Sequence, residues 1–234
     1  MIPTISQQGY LLKFQPAKRN HPSHIFCGEN HCRDAWCPNC NKPLLRLLQL
    51  DTSDTRLGLS DVFPAGLPLY YCWTCTIYKD LFCYQVNAEG TISILRYRQG
   101  LYDYEYEIPY PYDDYPAFFP ETAVELVPLT QKEQAFIYEM NATIDTRTGT
   151  EPLDEELCDK LYGTGHQVGG EPFLIFPWNY EEMRCPLCRK ELRFCASIWN
   201  ECLDERGFAG DEWVQHLFFV CLDCHVVMAD ENTT

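Results

Sequence analysis

Positive charge is what this chain has least of. Eighteen Lys and Arg stand against 34 Asp and Glu, for a formal net charge of −16. Proteins that grip nucleic acid carry a basic face to meet the phosphates, so the balance argues against nucleic acid and for a basic protein partner. Long apolar runs are missing as well. No stretch approaches the ~18 uninterrupted apolar residues of a spanning helix, which predicts no membrane association. Met1 to Tyr10 lack the basic-then-apolar order of a secretory leader. These absences together predict a cytoplasmic chain with reduced thiols.

Apolar and aromatic residues are plentiful, at 46% and 14%, and only 22% are charged. That composition builds a packed core and excludes a disordered chain. Fifteen Tyr and thirteen Phe favour strands over long helices.

Fourteen cysteines are present, and eight of them form four Cys-x-x-Cys pairs: Cys37/Cys40, Cys72/Cys75, Cys185/Cys188 and Cys221/Cys224. The gap from Cys40 to Cys72 holds 31 residues and that from Cys188 to Cys221 holds 32. The flanks agree too. One unit runs from "CPNCNKPLLRLLQLD" to "LPLYYCWTC", the other from "CPLCRKELRF" to "HLFFVCLDC". Matched spacing and flanks predict an internal duplication. In a reducing compartment, paired Cys-x-x-Cys means metal or redox chemistry rather than a disulfide framework. A thioredoxin-like reading needs a βαβ context, and strand-like sequence follows "CPNC" instead. The expectation is two structural zinc ions, each closed by four thiolates at about 2.3 Å with no position left for water. Lys42, Arg184, Arg189 and Lys190 flank these sites as local neutralisers.

The predicted fold is α+β and β-rich, with a zinc-ribbon-like unit of four cysteines in each half and one or two helices between the halves. Its parts are an N-terminal segment 1–36, a first half 37–100, an acidic Tyr/Pro-rich linker or edge strand 101–120, and a second half 121–234. Residues 43–50 read as a buried strand or a short helix, with their place after a cysteine turn favouring strand, and strands are predicted at 68–73, 81–86 and 91–97, with Glu89-Gly90 turning between the last two. Thr130 and Glu133 form a capping box that predicts a helix near 131–140. A second helix near 153–162 has acids in its first turn and Gly163 as its stop.

Three further segments carry candidate chemistry. His21, His24, Cys27, His31 and Cys32 crowd into twelve residues, and His21, His24, Cys27 and Cys32 are a candidate third zinc site. Residues 102–115, "YDYEYEIPYPYDDY", hold six tyrosines and five acids. On a strand, Tyr102, Tyr104 and Tyr106 share one face and the acids the other. With Asp113 and Asp114 they form a candidate surface for a basic partner. The loop 163–170 is glycine-rich but lacks the Gly-Lys-Ser/Thr ending of a phosphate loop, so its glycines are expected to serve turns and His166 to be structural. Cys83 and Cys195 are expected in the core.

The segments "AWCPNCNKPLLRLLQLD", "LPLYYCWTC", "GHQVGGEPFLIF" and the second cysteine unit resemble the zinc-bearing members of the YwqG-like family of uncharacterised bacterial proteins. They span roughly residues 35–225. In this chain the Gly-Gly-x-Pro element stands only before the second unit. The resemblance implies a duplicated, β-rich α+β fold and no particular activity. More distantly, the layout is similar to the programmed-cell-death protein 2 group, which implies the escort of a basic ribosomal protein. The functional expectation is a zinc-stabilised interaction module for a basic protein, in an escort or immunity-type role, and not an enzyme. Two other classes compete with it: a hydrolase-like or other enzyme using loop 163–170 or an N-terminal metal, and a nucleic-acid-binding zinc protein.

Overall fold

The computed structural model of the chain describes residues 2–15, 23–72, 82–97, 116–144, 154–176, 183–199 and 214–232. Eleven strands are present among them. They are β1 (Tyr10–Phe14), β2 (His24–Phe26), β3 (Leu45–Leu50), β4 (Leu67–Tyr71), β5 (Cys83–Val86), β6 (Ile92–Arg96), β7 (Thr122–Pro128), β8 (Gln167–Val168), β9 (Arg193–Trp199), β10 (Gln215–Cys221) and β11 (Val226–Asn232). They form one sheet in the order β4-β3-β2-β7-β1-β8-β9-β10-β11-β5-β6. Two helices, α1 (Gln131–Thr143) and α2 (Glu155–Thr164), lie between β7 and β8 in the chain. The chain is therefore β-rich with two helices, which form close to the two segments expected to be helical.

Thr130 caps α1 through a capping box with Glu133, satisfying two N–H groups the helix leaves orphaned. Asp154 caps α2 by accepting from Leu157 N–H. The second helix does not stop at Gly163. It runs through Thr164 and ends at Gly165, whose φ is +50°. A side chain at Gly165 would place its Cβ 2.7 Å from the Trp199 ring, so packing, not the first available glycine, sets the stop.

Two stretches of this sheet repeat one geometry. In β7-β2-β3-β4, Phe26 pairs with Leu48 and Ile25 with Gln49, and the β3–β4 register slips at Leu47. In β1-β8-β9-β10, Val168 pairs with Ala196 and Gln167 with Ser197, and the β9–β10 register slips at Cys195. Each short strand is followed by two residues of positive φ: Cys27 and Gly28 at 57° and 96°, Gly169 and Gly170 at 61° and 67°. Cys27 N–H donates to Leu47 O, and Gly169 N–H donates to Cys195 O. The bulge residue thus turns its carbonyl toward the kink in both places. The first strand of each stretch comes from the far side of the chain. β1 pairs with β8, β7 pairs with β2, and β1 and β7 pair with each other with Lys13 opposite Glu125.

The sheet curls until its ends meet. The Tyr84 hydroxyl on β5 donates to Pro68 O, 2.8 Å away, and accepts from Tyr70 N–H at 2.9 Å, both on edge strand β4. The enclosed core joins both stretches, with Phe26, Leu47, Tyr71, Tyr84, Phe218 and Val220 among its members. On β10 the alternate residues Leu217, Phe219 and Cys221 face a second cluster with Phe194 and Met228. That strand is buried on both faces, which is why it reads as a continuous apolar run. A third cluster seats Ile137 and Met140 of α1 and Leu161 of α2 against Leu11 and Trp199. Cys83 and Cys195 are fully buried, as their apolar surroundings predict.

Candidate metal centres

The second cysteine unit brings all four of its thiols together. After the Arg184–Glu191 bridge, the chain turns at Cys185-Pro186-Leu187-Cys188. Cys185 N–H donates to Lys190 O, and Arg189 N–H donates to Cys185 O, both at 2.9 Å. Arg189 takes a φ of +63° to close the turn. Cys221 ends β10, and Cys224 lies in the turn into β11. The Sγ atoms of Cys185, Cys188, Cys221 and Cys224 all lie within 4.8 Å of one another. Cys188 and Cys221 Sγ are 3.6 Å apart. A disulfide is about 2.05 Å long, whereas a tetrahedron with ~2.3 Å metal–sulfur bonds has edges of about 3.8 Å. The spacing fits four ligands around one ion, and the cysteines are free thiols.

The first unit builds the same turn. Cys37 N–H donates to Lys42 O at 2.8 Å, Asn41 N–H donates to Cys37 O at 3.0 Å, and Asn41 has a φ of +56°. Trp36 bridges Pro43 as Arg184 bridges Glu191. Cys37, Cys40 and Cys72 converge within 4.8 Å, with Cys40 and Cys72 Sγ 3.8 Å apart. Cys75 lies outside the described residues. Both clusters can hold a metal ion, which makes them compatible with the expected four-cysteine units.

The charges around the second cluster are local and paired. The backbone N–H of Lys190 beside Cys188 holds its thiol down to about 7, while burial pushes Cys221 up to about 12. The Lys190 ammonium pairs with Asp223 at 2.6 Å, and Arg184 lies 3.9 Å from Glu191. Two of the expected neutralisers therefore meet carboxylates.

The N-terminal histidine cluster does not assemble into a third site among the described residues. His24 is buried and both ring nitrogens are engaged. Nδ1 accepts from Asp51 N–H at 3.1 Å, and Nε2 donates to Asp54, 3.0 Å away. Arg56 chelates the same Asp54 carboxylate. Burial lowers the His24 pKa more than its carboxylate neighbours raise it, so the ring is neutral. With no free lone pair, it is no metal ligand. Cys27 is buried in the core, and His21 lies outside the described residues.

Loop 163–170 holds no phosphate cradle. Gly169 and Gly170 N–H donate to Cys195 O and Ser6 O, and a Cβ on Gly170 would meet Gly9 Cα at 2.6 Å. His166 is buried, its Nδ1 accepts from Trp199 N–H at 3.2 Å, and its ring packs on Phe14 and Phe26. The histidine is structural, as expected.

The Gly-Gly element has a geometric parallel around His24. His24-Ile25-Phe26-Cys27-Gly28-Glu29 matches His166-Gln167-Val168-Gly169-Gly170-Glu171 in strand, kink and histidine role. The signal was a His, a Gly four residues on and a Glu next, and the cysteine at position 27 hid it. Tyr102, Tyr104, Tyr106, Asp113 and Asp114 lie outside the described residues. No described helix is long and apolar enough to cross a membrane. Compared with protein-family models, curated proteins and solved structures, the chain matches none.

Proposed function

We propose that this chain is an internally duplicated, zinc-stabilised interaction module that binds a basic protein in the cytoplasm, in an escort or immunity-type role. Two thiol clusters of matching geometry carry the metal half of this reading. Four soft sulfur donors in a closed tetrahedron select zinc over hard cations and leave no catalytic position open. The duplication rests on the shared turn, bulge and His–backbone contacts of the two stretches.

Charge carries the partner half. Each zinc with four thiolates contributes −2, taking the formal −16 of the chain to about −20. A surface of that sign attracts a basic partner and repels phosphate backbones. The distant similarity of the layout to the programmed-cell-death protein 2 group points the same way, while the resemblance to YwqG-like proteins bears on the fold alone. The contact surface in this reading is Tyr102, Tyr104, Tyr106, Asp113 and Asp114.

Two measurements test it. Elemental analysis should find two zinc ions per chain. Affinity capture from the native lysate at moderate salt should retain one basic protein, with a pI above about 9. Replacing Tyr104, Tyr106, Asp113 and Asp114 by Ala should abolish the capture. Zinc-free protein, or capture of nucleic acid in place of protein, overturns the reading.

A further inference from the structure

The first half carries an open polar cleft where the second is filled and apolar. Arg46 on β3 and Tyr70 on β4 are paired across the strands. The same places in the second stretch hold Phe194 and Phe219, also paired, buried in a cluster that Ile2 helps to close. Beside Arg46 and Tyr70 no described residue supplies such a cover. Instead a cleft of about 510 Å³ opens between the segment before the first metal turn, β3, β4 and the β5–β6 turn. A volume of that size holds a side chain and the backbone that delivers it.

The polar groups lining this cleft are short of partners. Tyr70 is only 3% exposed, yet its hydroxyl has no hydrogen-bond partner among the described residues. Its position is fixed, since its backbone N–H is tied to the Tyr84 hydroxyl. The hydroxyl is not sealed in the core but opens on the cleft, where it is held in place to accept a hydrogen bond from a ligand. Asp34 and Glu89, from two different loops, are exposed residues lining the same cleft, and neither has an ion-pair partner among the described residues. Of the two arginines present, Arg46 is committed. It donates to Cys27 O at 3.0 Å and to Glu121 at 3.1 Å, which leaves Arg33 and the exposed His31 beside two open carboxylates.

From this geometry we infer that the cleft is a socket for a lysine or arginine side chain presented by an extended segment of a protein partner. The inference rests on the basic-partner reading above and names where that partner inserts. Asp34 and Glu89 meet the cationic head, the Tyr70 oxygen accepts one of its N–H groups, and Pro68 takes the aliphatic stem.

The test is a titration of the intact, metal-loaded, 15N-labelled protein with Nα-acetyl-arginine methylamide, followed by NMR. The amide signals of Gly90 and Thr91 should shift and saturate. Asp34→Asn with Glu89→Gln should abolish saturation, and Tyr70→Phe should weaken binding about fivefold, the effect of one hydrogen bond. Absence of a saturable shift overturns the inference. So does an unchanged response of the double variant, or saturation by Nα-acetyl-glutamate methylamide instead, which would mean that Arg33 selects an anion. A saturable arginine response in protein that captures no basic partner leaves the socket standing and overturns only the wider proposal. Capture without any arginine response does the reverse.

Discussion

His24 and His166 do the same thing in the two halves of the sheet. Each ring accepts, through Nδ1, the backbone N–H at the far end of the strand that leaves its metal turn: Asp51 N–H at 3.1 Å and Trp199 N–H at 3.2 Å. A buried donor left without its acceptor costs about 1–3 kcal/mol. His166→Leu and His24→Leu should each lower unfolding stability by that amount in urea titrations. Both variants should keep the metal content of the parent, because neither ring is a ligand. A lost ion in His24→Leu would restore the third site.

Tyr84 closes the sheet by bridging Pro68 O and Tyr70 N–H. Tyr84→Phe removes only the hydroxyl and strands both backbone groups in the core. A loss of about 1–3 kcal/mol is expected, with faster hydrogen exchange at the Tyr70 amide. Unchanged exchange there would show that β4 needs no such clasp.

Cys188→Ser and Cys40→Ser should each reduce the bound metal from two ions to one. Stripping both ions with a chelator should lower the melting temperature by about 10 °C or more, at ~2–4 °C per kcal/mol for a chain of this size. An unaltered melting curve after complete removal would rule out a structural role.

Stability should decline below neutral pH. His216 is fully buried, beside Tyr71 and 3.7 Å from Glu231, and burial drives its pKa down to about 3. The unfolded chain takes up a proton there below about 6.5, and the folded chain does not. The stabilisation is therefore complete above 6.5 and is lost as the pH falls toward 3, by at most ~1.4 kcal/mol per pH unit. The difference between His216→Phe and the parent, measured in urea at pH 7.5 and 5, isolates this from thiolate protonation. Further acid loss should follow below about 4. There Asp54 and Glu133 are held below the ordinary carboxylate range: against the opposing pull of burial, Arg56 lowers the first, and Lys160 with Thr130 the second.

The β1–β7 pairing ties the two stretches of the sheet together. Leu12 on β1 is buried opposite Leu126 on β7. Leu12→Ala should cost about 2–5 kcal/mol and keep a single unfolding transition. Two separated transitions would mean that the halves fold alone.

Much of the local structure was legible in the residues. The capping box at Thr130 and Glu133, the turn at Glu89-Gly90 and the burial of Cys195 all follow from short-range chemistry, and they appear where that chemistry puts them. The cysteine pairs were legible for the same reason, since two residues between thiols suffice to aim both at one point. The His24–Asp54–Arg56 contact was not. Its members come from β2 and from a loop after β3, and nothing in their spacing says that the ring will meet a carboxylate rather than a metal.

The amino-acid order alone determined which thiols pair in turns, where the helices begin and how acidic the surface is, because each depends on neighbours a few residues apart. Tertiary structure decided which histidines are spent on backbone, that β1 pairs with β7 and β8, and that one stretch opens a polar cleft where the other packs phenylalanine. Those outcomes depend on strands far apart in the chain meeting in register, and no local signal carries that information.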